Sequence, residues 1–282
     1  MKKTISLLLV SSSILFASNI IEKANKAYDT KNYKVAYNLY IAEKNNPIAE
    51  YELATMYQDG KGIEQNLNKA EQLYLKAAAK GHTLSQVELG ILYMTGEGVK
   101  QNYKKAFQLF QEASKTGNDF ANYNLARMYW NGYGVQQNYA LAYKHYKVAS
   151  DQGHMGATYA LASMLEEGQG CKKDLKEAYV LYEKSAKYIS WSSYALAIAY
   201  LEGNKVITKN TSKGMNYLVQ SVKQGDVVAI THLAKIYYHG LYGQESNAMK
   251  AMALYEKATQ IYQAVEFSDT DLWHETVSLL NH

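Results

Sequence analysis

The feature that most constrains this chain is a period of 36 residues. Gly60, Gly96, Gly132 and Gly168 recur at that interval, and Gly62, Gly98, Gly134 and Gly170 keep step with them. A fixed period of roughly 20 to 50 residues marks a repeat array, in which each unit buries its apolar face against its neighbours. The stretch from Ala49 to Gly81 defines the unit as helix, glycine turn, helix and glycine stop. On the first helix Leu53, Leu89, Leu125, Leu161 and Leu233 recur beside Ala54, Gly90, Ala126, Ala162 and Ala234, with Tyr57, Tyr93, Tyr129 and Tyr237 one turn on. A large residue beside a small one at helical spacing lets neighbouring helices approach and interdigitate.

After the turn, Asn66, Asn102, Asn138, Asp174 and Asn210 stand just before the second helix, where an acceptor side chain caps otherwise orphaned backbone donors. The second helix repeats Ala70, Ala106, Ala142 and Ala178, then Tyr74, Phe110, Tyr146 and Tyr182. It ends at Gly81, Gly117, Gly153 and Gly225, suited to a left-handed stop. The fifth unit decays: Ile189 replaces the stop glycine, and Leu201 to Ile207 keeps Gly203 but loses the second turn glycine. In the sixth the second helix slips by one, so Ala251 and Tyr255 take the Ala and Tyr roles. Scarce proline, one in 282 residues, permits long helical runs.

The ends read differently. Residues 1–18 have the layout of a secretory signal peptide, with Lys2 and Lys3, an apolar run from Ile5 to Phe16, and Ala17 and Ser18 at its close. That run is shorter than the roughly 20 apolar residues of a membrane span, so no stable membrane insertion is expected after cleavage, and the protein is expected in the periplasm or outside the cell. No cysteine lies near the cleavage point, which excludes a lipid-anchored lipoprotein. Cys171 is the single cysteine, so no intramolecular disulfide forms. Residues 19–46 read as an N-terminal capping helix pair, 47–264 as the repeats, and 265–282, with Trp273, Val277 and Leu280, as a C-terminal capping helix. Asn46 and Pro47 supply the strongest helix start. The net charge of +4 is too small and scattered for nucleic acid.

The pattern A-x-Y-x-L-A-x-M-Y-x-x-G-x-G-[IV]-x-Q-N-x-x-x-A-x-x-x-Y-x-x-A-x-x-x-G, as in Ala49 to Gly81 and Ala121 to Gly153, resembles the Sel-one-like repeat family, relatives of the tetratricopeptide repeat. The resemblance covers about Ala49 to Lys257. It implies an all-α fold, a right-handed α/α superhelical solenoid of about six repeats whose first helices line the concave side, and a role in holding protein partners together. Among exported members the chain is similar to the cysteine-rich Helicobacter proteins, some of which bind penicillin or act as β-lactamases, but it lacks their cysteine pairs.

Candidate chemistry is weighed against those repeat positions. The Gly-x-Gly pairs follow helices rather than strands and lack the third glycine of a dinucleotide loop. Lys115, Thr116 and Gly117 spell the K-T-G of serine β-lactamases, but S-x-x-K and S-D-N are missing, and neighbouring units place a helix end there. His82 and His154, two units apart, are separated by about 20 Å at about 10 Å per helix layer. His232 and His239 lie about 10 Å apart along one helix, so neither pair can share a metal. Cys171 occupies the branched-apolar position of Ile63, Val99 and Val135 and reads as a small apolar filler. No catalytic residue, metal or cofactor is expected.

The positions that change between units carry the functional expectation. Glu88, Met94, Asn124, Arg127, Trp130, Asn131, Lys235 and Tyr238 share one face of the first helices, with exposed apolar area expected at Met94 and Trp130. Tryptophan, tyrosine and arginine on such a face are the residue types that carry binding energy. The expectation is an exported, non-enzymatic scaffold whose groove holds a protein, a peptide or a cell-wall fragment. The alternative is a β-lactamase or a penicillin- or peptidoglycan-binding hydrolase, and turnover of a chromogenic cephalosporin separates the two.

Overall fold

The computed structural model describes residues 19–264. Every regular element among them is a helix: α1 (19–29), α2 (Tyr33–Ala42), α3 (Pro47–Asp59), α4 (Leu67–Ala79), α5 (Thr83–Thr95), α6 (Tyr103–Ser114), α7 (Asp119–Asn131), α8 (Tyr139–Asp151), α9 (Met155–Glu167), α10 (Leu175–Ser185), α11 (Ser190–Glu202), α12 (Thr211–Lys223), α13 (Val227–His239) and α14 (Ala248–Ala264). The signal peptide and the C-terminal capping helix expected from the sequence lie outside the described residues. The chain divides into two compact units, which part between Gln152 and Gly153. Within each, helices pack chiefly on their chain neighbours, as in a solenoid: α2 through α8 in the first unit and α9 through α14 in the second.

The starts and stops follow from local bonds. Asn66, Asn102, Asn138, Asp174 and Asn210 each accept from the backbone N–H three residues on, at 2.9–3.0 Å. Asn247 does the same for α14, at 2.9 Å from Lys250 N. Each such cap is worth about 1 kcal/mol. Their own N–H groups donate back to the preceding helix, as Asn66 does to Tyr57 O at 2.8 Å and Asn138 to Tyr129 O at 2.9 Å, so one residue starts a helix and ties it to its partner. Gln65, Gln101 and Gln137 staple the same turn, their amides donating to the carbonyls of Gln58, Met94 and Trp130. The recurring leucines and small residues of the first helices and the alanines of the second form the core.

The second turn glycine has a task the period does not reveal. A Cβ on Gly98 would lie 2.4 Å from Leu67 Cβ, and one on Gly134 would lie 2.5 Å from the Tyr103 carbonyl. Leu67 and Tyr103 open the second helix of the preceding repeat. The glycine is therefore the point where one repeat's turn seats on its neighbour.

The fifth repeat replaces its missing glycines with polar bonds. Where Ile189 stands instead of a stop glycine, the Ala186 carbonyl accepts from Ser193 Oγ, Gln220 Nε2 and Gln224 Nε2, and Ser185 Oγ meets Ser192 Oγ at 2.7 Å. In the turn after α11, Asn204 Oδ1 accepts from Val206 N and Ile207 N, at 2.9 Å each, an Asx turn in place of the lost glycine.

Candidate functional site

The structure sorts the expected groove residues rather than assembling them all. In the first unit Met94 is only 9% exposed and belongs to the apolar core cluster with Leu92 and Phe110. This corrects the expectation of an exposed apolar side chain there, because packing between α5 and its neighbours consumes that face. Asn124, 5% exposed, is likewise buried, and its amide donates to Phe120 O of its own helix at 3.0 Å. Half-buried Arg127 lies over the Tyr123 ring at 5.7 Å and donates to Asn124 Oδ1 at 3.4 Å. Exposed Asn131 donates to Arg127 O at 2.9 Å. Half-buried Trp130 meets Tyr139 edge-on at 4.9 Å, so part of its surface closes the α7–α8 turn. Glu88 is half-buried, and burial, with Asp59 second, pushes its carboxyl up. In the second unit Lys235 is half-buried, and exposed Tyr238 stands edge-on to His239 at 5.0 Å.

The better-formed feature is a groove of about 790 Å³ in the second unit, on the side of α9 and α11. Tyr159 on α9 meets Trp191, in the first turn of α11, at 5.6 Å, and Trp191 remains 58% exposed. Tyr194, one turn further, approaches His232 Nδ1 through its hydroxyl at 3.1 Å. Carboxylates of Glu166, Glu167, Glu202 and Asp226 share the lining with Lys173. Glu166 accepts from Tyr182 Oη at 2.7 Å and from Tyr179 Oη at 3.3 Å, and Asn204 Nδ2 donates to Tyr179 Oη at 2.8 Å, so the rebuilt turn of the fifth repeat braces the acidic wall. Burial, then the Asp226 carboxylate, pushes the hydroxyls of Tyr159 and Tyr194 up. Burial holds the His232 imidazole below its ordinary range.

Sequence reasoning missed this groove for identifiable reasons. Tyr159 shares the column of Tyr51 and Tyr123, where recurrence suggests packing. Trp191, Tyr194 and Glu202 sit in the decayed fifth unit. Asp226 stands at a helix start and serves there as a cap, accepting from Ala229 N at 3.1 Å. One signal was present: the equivalent positions at the 36-residue period are Asn46, His82, Asn118, His154 and Ser190, and only Asp226 brings a negative charge.

A second cavity of about 720 Å³ in the first unit has the opposite polarity, with Lys44, Lys69, Lys76 and Lys80 around Glu50. Glu50 is buried and pairs with Lys80 at 2.7 Å. The remaining candidates have structural roles. His82 and His154 cap α5 and α9, each accepting through Nδ1 from a backbone N–H. Lys115 pairs with Glu112, and Thr116 donates to Ala113 O at 2.8 Å, so K-T-G is the end of α6. The half-buried Cys171 thiol donates to Met164 O at 3.4 Å, and burial pushes it up. No group of three or more metal-ligating side chains occurs among the described residues, and none of their helices is long and apolar enough to cross a membrane.

The chain is similar to a Sel1 repeat protein from Oxalobacter formigenes of known crystal structure, with 27% identity over 85% of this chain and 96% of that one and a TM-score of 0.80. It shares its fold with a protective antigen of uropathogenic Escherichia coli strains that displays an SLR fold, at 24% identity over 90% of this chain and 64% of that one, TM-score 0.57. The same holds for an immunity protein from Pseudomonas aeruginosa, at 17% identity over 81% and 86%, TM-score 0.52. The search of curated proteins found no match. The family model described as Sel1 repeat matches residues 47–82, 83–118, 119–154, 156–187, 192–226 and 227–260, and such repeats generally mediate protein–protein interactions. With six matched repeats over most of its length, the chain belongs to the Sel1 repeat family.

Proposed function

We propose that this protein is an exported scaffold that holds a polypeptide partner on the face presented by its first helices. The observation that carries the reading is the groove between α9 and α11. There Tyr159, Trp191 and Tyr194 line the cleft together with Glu166, Glu202 and Asp226, none of which is in an ion pair among the described residues. Rigid aromatic anchors in a preformed cleft supply binding energy at low entropic cost. Within the first unit, Arg127, Trp130 and Asn131 are residue types that carry binding energy. Export rests on the charged and apolar layout of residues 1–18, which makes the periplasm or the cell exterior the place where the partner is met.

The test is crosslinked capture from the native envelope with the wild-type chain, with Arg127→Ala, with Trp191→Ala and with Lys147→Ala as a control on exposed α8 surface. The expected result is a partner recovered by the wild type and by Lys147→Ala but weakened roughly tenfold or more by a first-helix substitution. Equal capture by all four proteins would remove the reading. A partner found in the cytoplasm alone would remove the export.

A further inference from the structure

We propose that the groove of the second unit receives a cationic side chain, arginine or lysine, from a polypeptide partner. This rests on the scaffold reading above and specifies its chemistry. The central observation is Asp226. It is 5% exposed and lines the groove. Its Oδ1 is spent on the cap of α13, while its buried Oδ2 has no hydrogen-bond partner. A buried carboxylate oxygen without a partner is costly, and a cation brought by a ligand removes that cost. The cap itself does not require the charge, since Asn118 caps α7 through the same bond, at 2.8 Å from Ala121 N.

The surroundings fit the same ligand. Glu166 and Glu202 join Asp226 in the lining against Lys173, and none of the three carboxylates is in an ion pair among the described residues. Burial and these carboxylates together push the Tyr159 and Tyr194 hydroxyls up, the response expected of a negative cleft. Trp191 and Tyr159 offer aromatic surface beside the acids, and an aromatic wall next to a carboxylate is the arrangement that holds guanidinium and ammonium groups. An apolar helix brings no donor to meet Asp226, and a neutral glycan brings hydroxyl donors but no charge.

The test uses the full chain and two capped Gly-Ser octapeptides, one with a central arginine and one with citrulline, its uncharged isostere. Binding is followed by the indole N–H resonance of Trp191, assigned with Trp191→Phe. The arginine peptide is expected to shift that resonance saturably, and the citrulline peptide to bind about tenfold more weakly, the worth of one charge-assisted hydrogen bond. Asp226→Asn keeps the cap, so circular dichroism stays unchanged while the preference for arginine disappears. Equal affinities, no saturable shift with the arginine peptide, or an undiminished preference in Asp226→Asn overturns the proposal. Partner capture that depends on the first-helix face, combined with equal peptide affinities, leaves the scaffold and removes the cation site. Capture indifferent to that face, combined with a surviving arginine preference, does the reverse.

Discussion

Gly134→Ala and Gly117→Ala form a matched pair that separates a repeat junction from an ordinary helix stop. Both residues have positive φ, 68° and 80°. Alanine therefore meets a similar left-handed penalty of roughly 1–2 kcal/mol at each, offset by about 0.4–1 kcal/mol from a stiffer unfolded chain. Their surroundings differ. A Cβ on Gly117 meets nothing within 4 Å, whereas one on Gly134 lies 2.5 Å from the carbonyl carbon and oxygen of Tyr103 and 2.8 Å from Lys104 N. These are backbone atoms, so no rotamer change relieves them. The third repeat's turn must retreat from α6 by roughly 1 Å, and overpacking of that kind costs roughly 1–3 kcal/mol. The expected losses are about 1 kcal/mol for Gly117→Ala and about 2–4 kcal/mol for Gly134→Ala. Urea unfolding followed by far-ultraviolet circular dichroism measures both, with slopes compared because an array can lose one repeat before the rest. Losses equal within about 0.5 kcal/mol would refute the claim that the second turn glycine is a contact between repeats.

Two further outcomes follow from the fifth repeat and from the half-buried histidines. Asn204→Ala removes both the acceptor for Val206 N and Ile207 N and the donor to Tyr179 Oη and should cost about 1–2 kcal/mol; Asn204→Asp restores the acceptor alone and should recover part of it, so an aspartate variant no better than alanine in urea unfolding defeats the Asx-turn assignment. His145, whose Nδ1 lies 2.9 Å from Asn122 Oδ1, is held below its ordinary 6.5 by burial first and Lys144 second. Because the unfolded chain then takes the proton first, stability is full above pH 6.5 and falls as pH drops from there toward the folded value. His82 and His232, also depressed by burial, act in the same sense, whereas Glu52 and Glu88, pushed up by burial, act in the opposite one. The difference between wild type and His145→Gln isolates one histidine: urea midpoints measured from about pH 7 down to about pH 5 should fall less steeply in the variant, and an identical slope would contradict the assignment.

Bonds that close within a few residues were legible in the chain alone. Asn66, Asn102, Asn138, Asp174 and Asn210 cap the helices they precede because cap and target lie three residues apart, and no distant neighbour intervenes. The recurring leucines, alanines and stop glycines are legible for the same reason, and with the 36-residue period they define helix pairs stacked in series. Side chains on a helix surface are another matter, since their environment depends on what lies across from them. Met94 and Trp130 share one repeat position, yet the first is absorbed into the core and the second half covered by Tyr139. The second turn glycine looks like its partner until the preceding repeat is set against it. Asp226 drew no notice in the chain, and it becomes a buried, half-satisfied carboxylate in one groove with Trp191 and Tyr194 only once α9, α11 and α13 have packed, because burial is a property of neighbours and not of the residue.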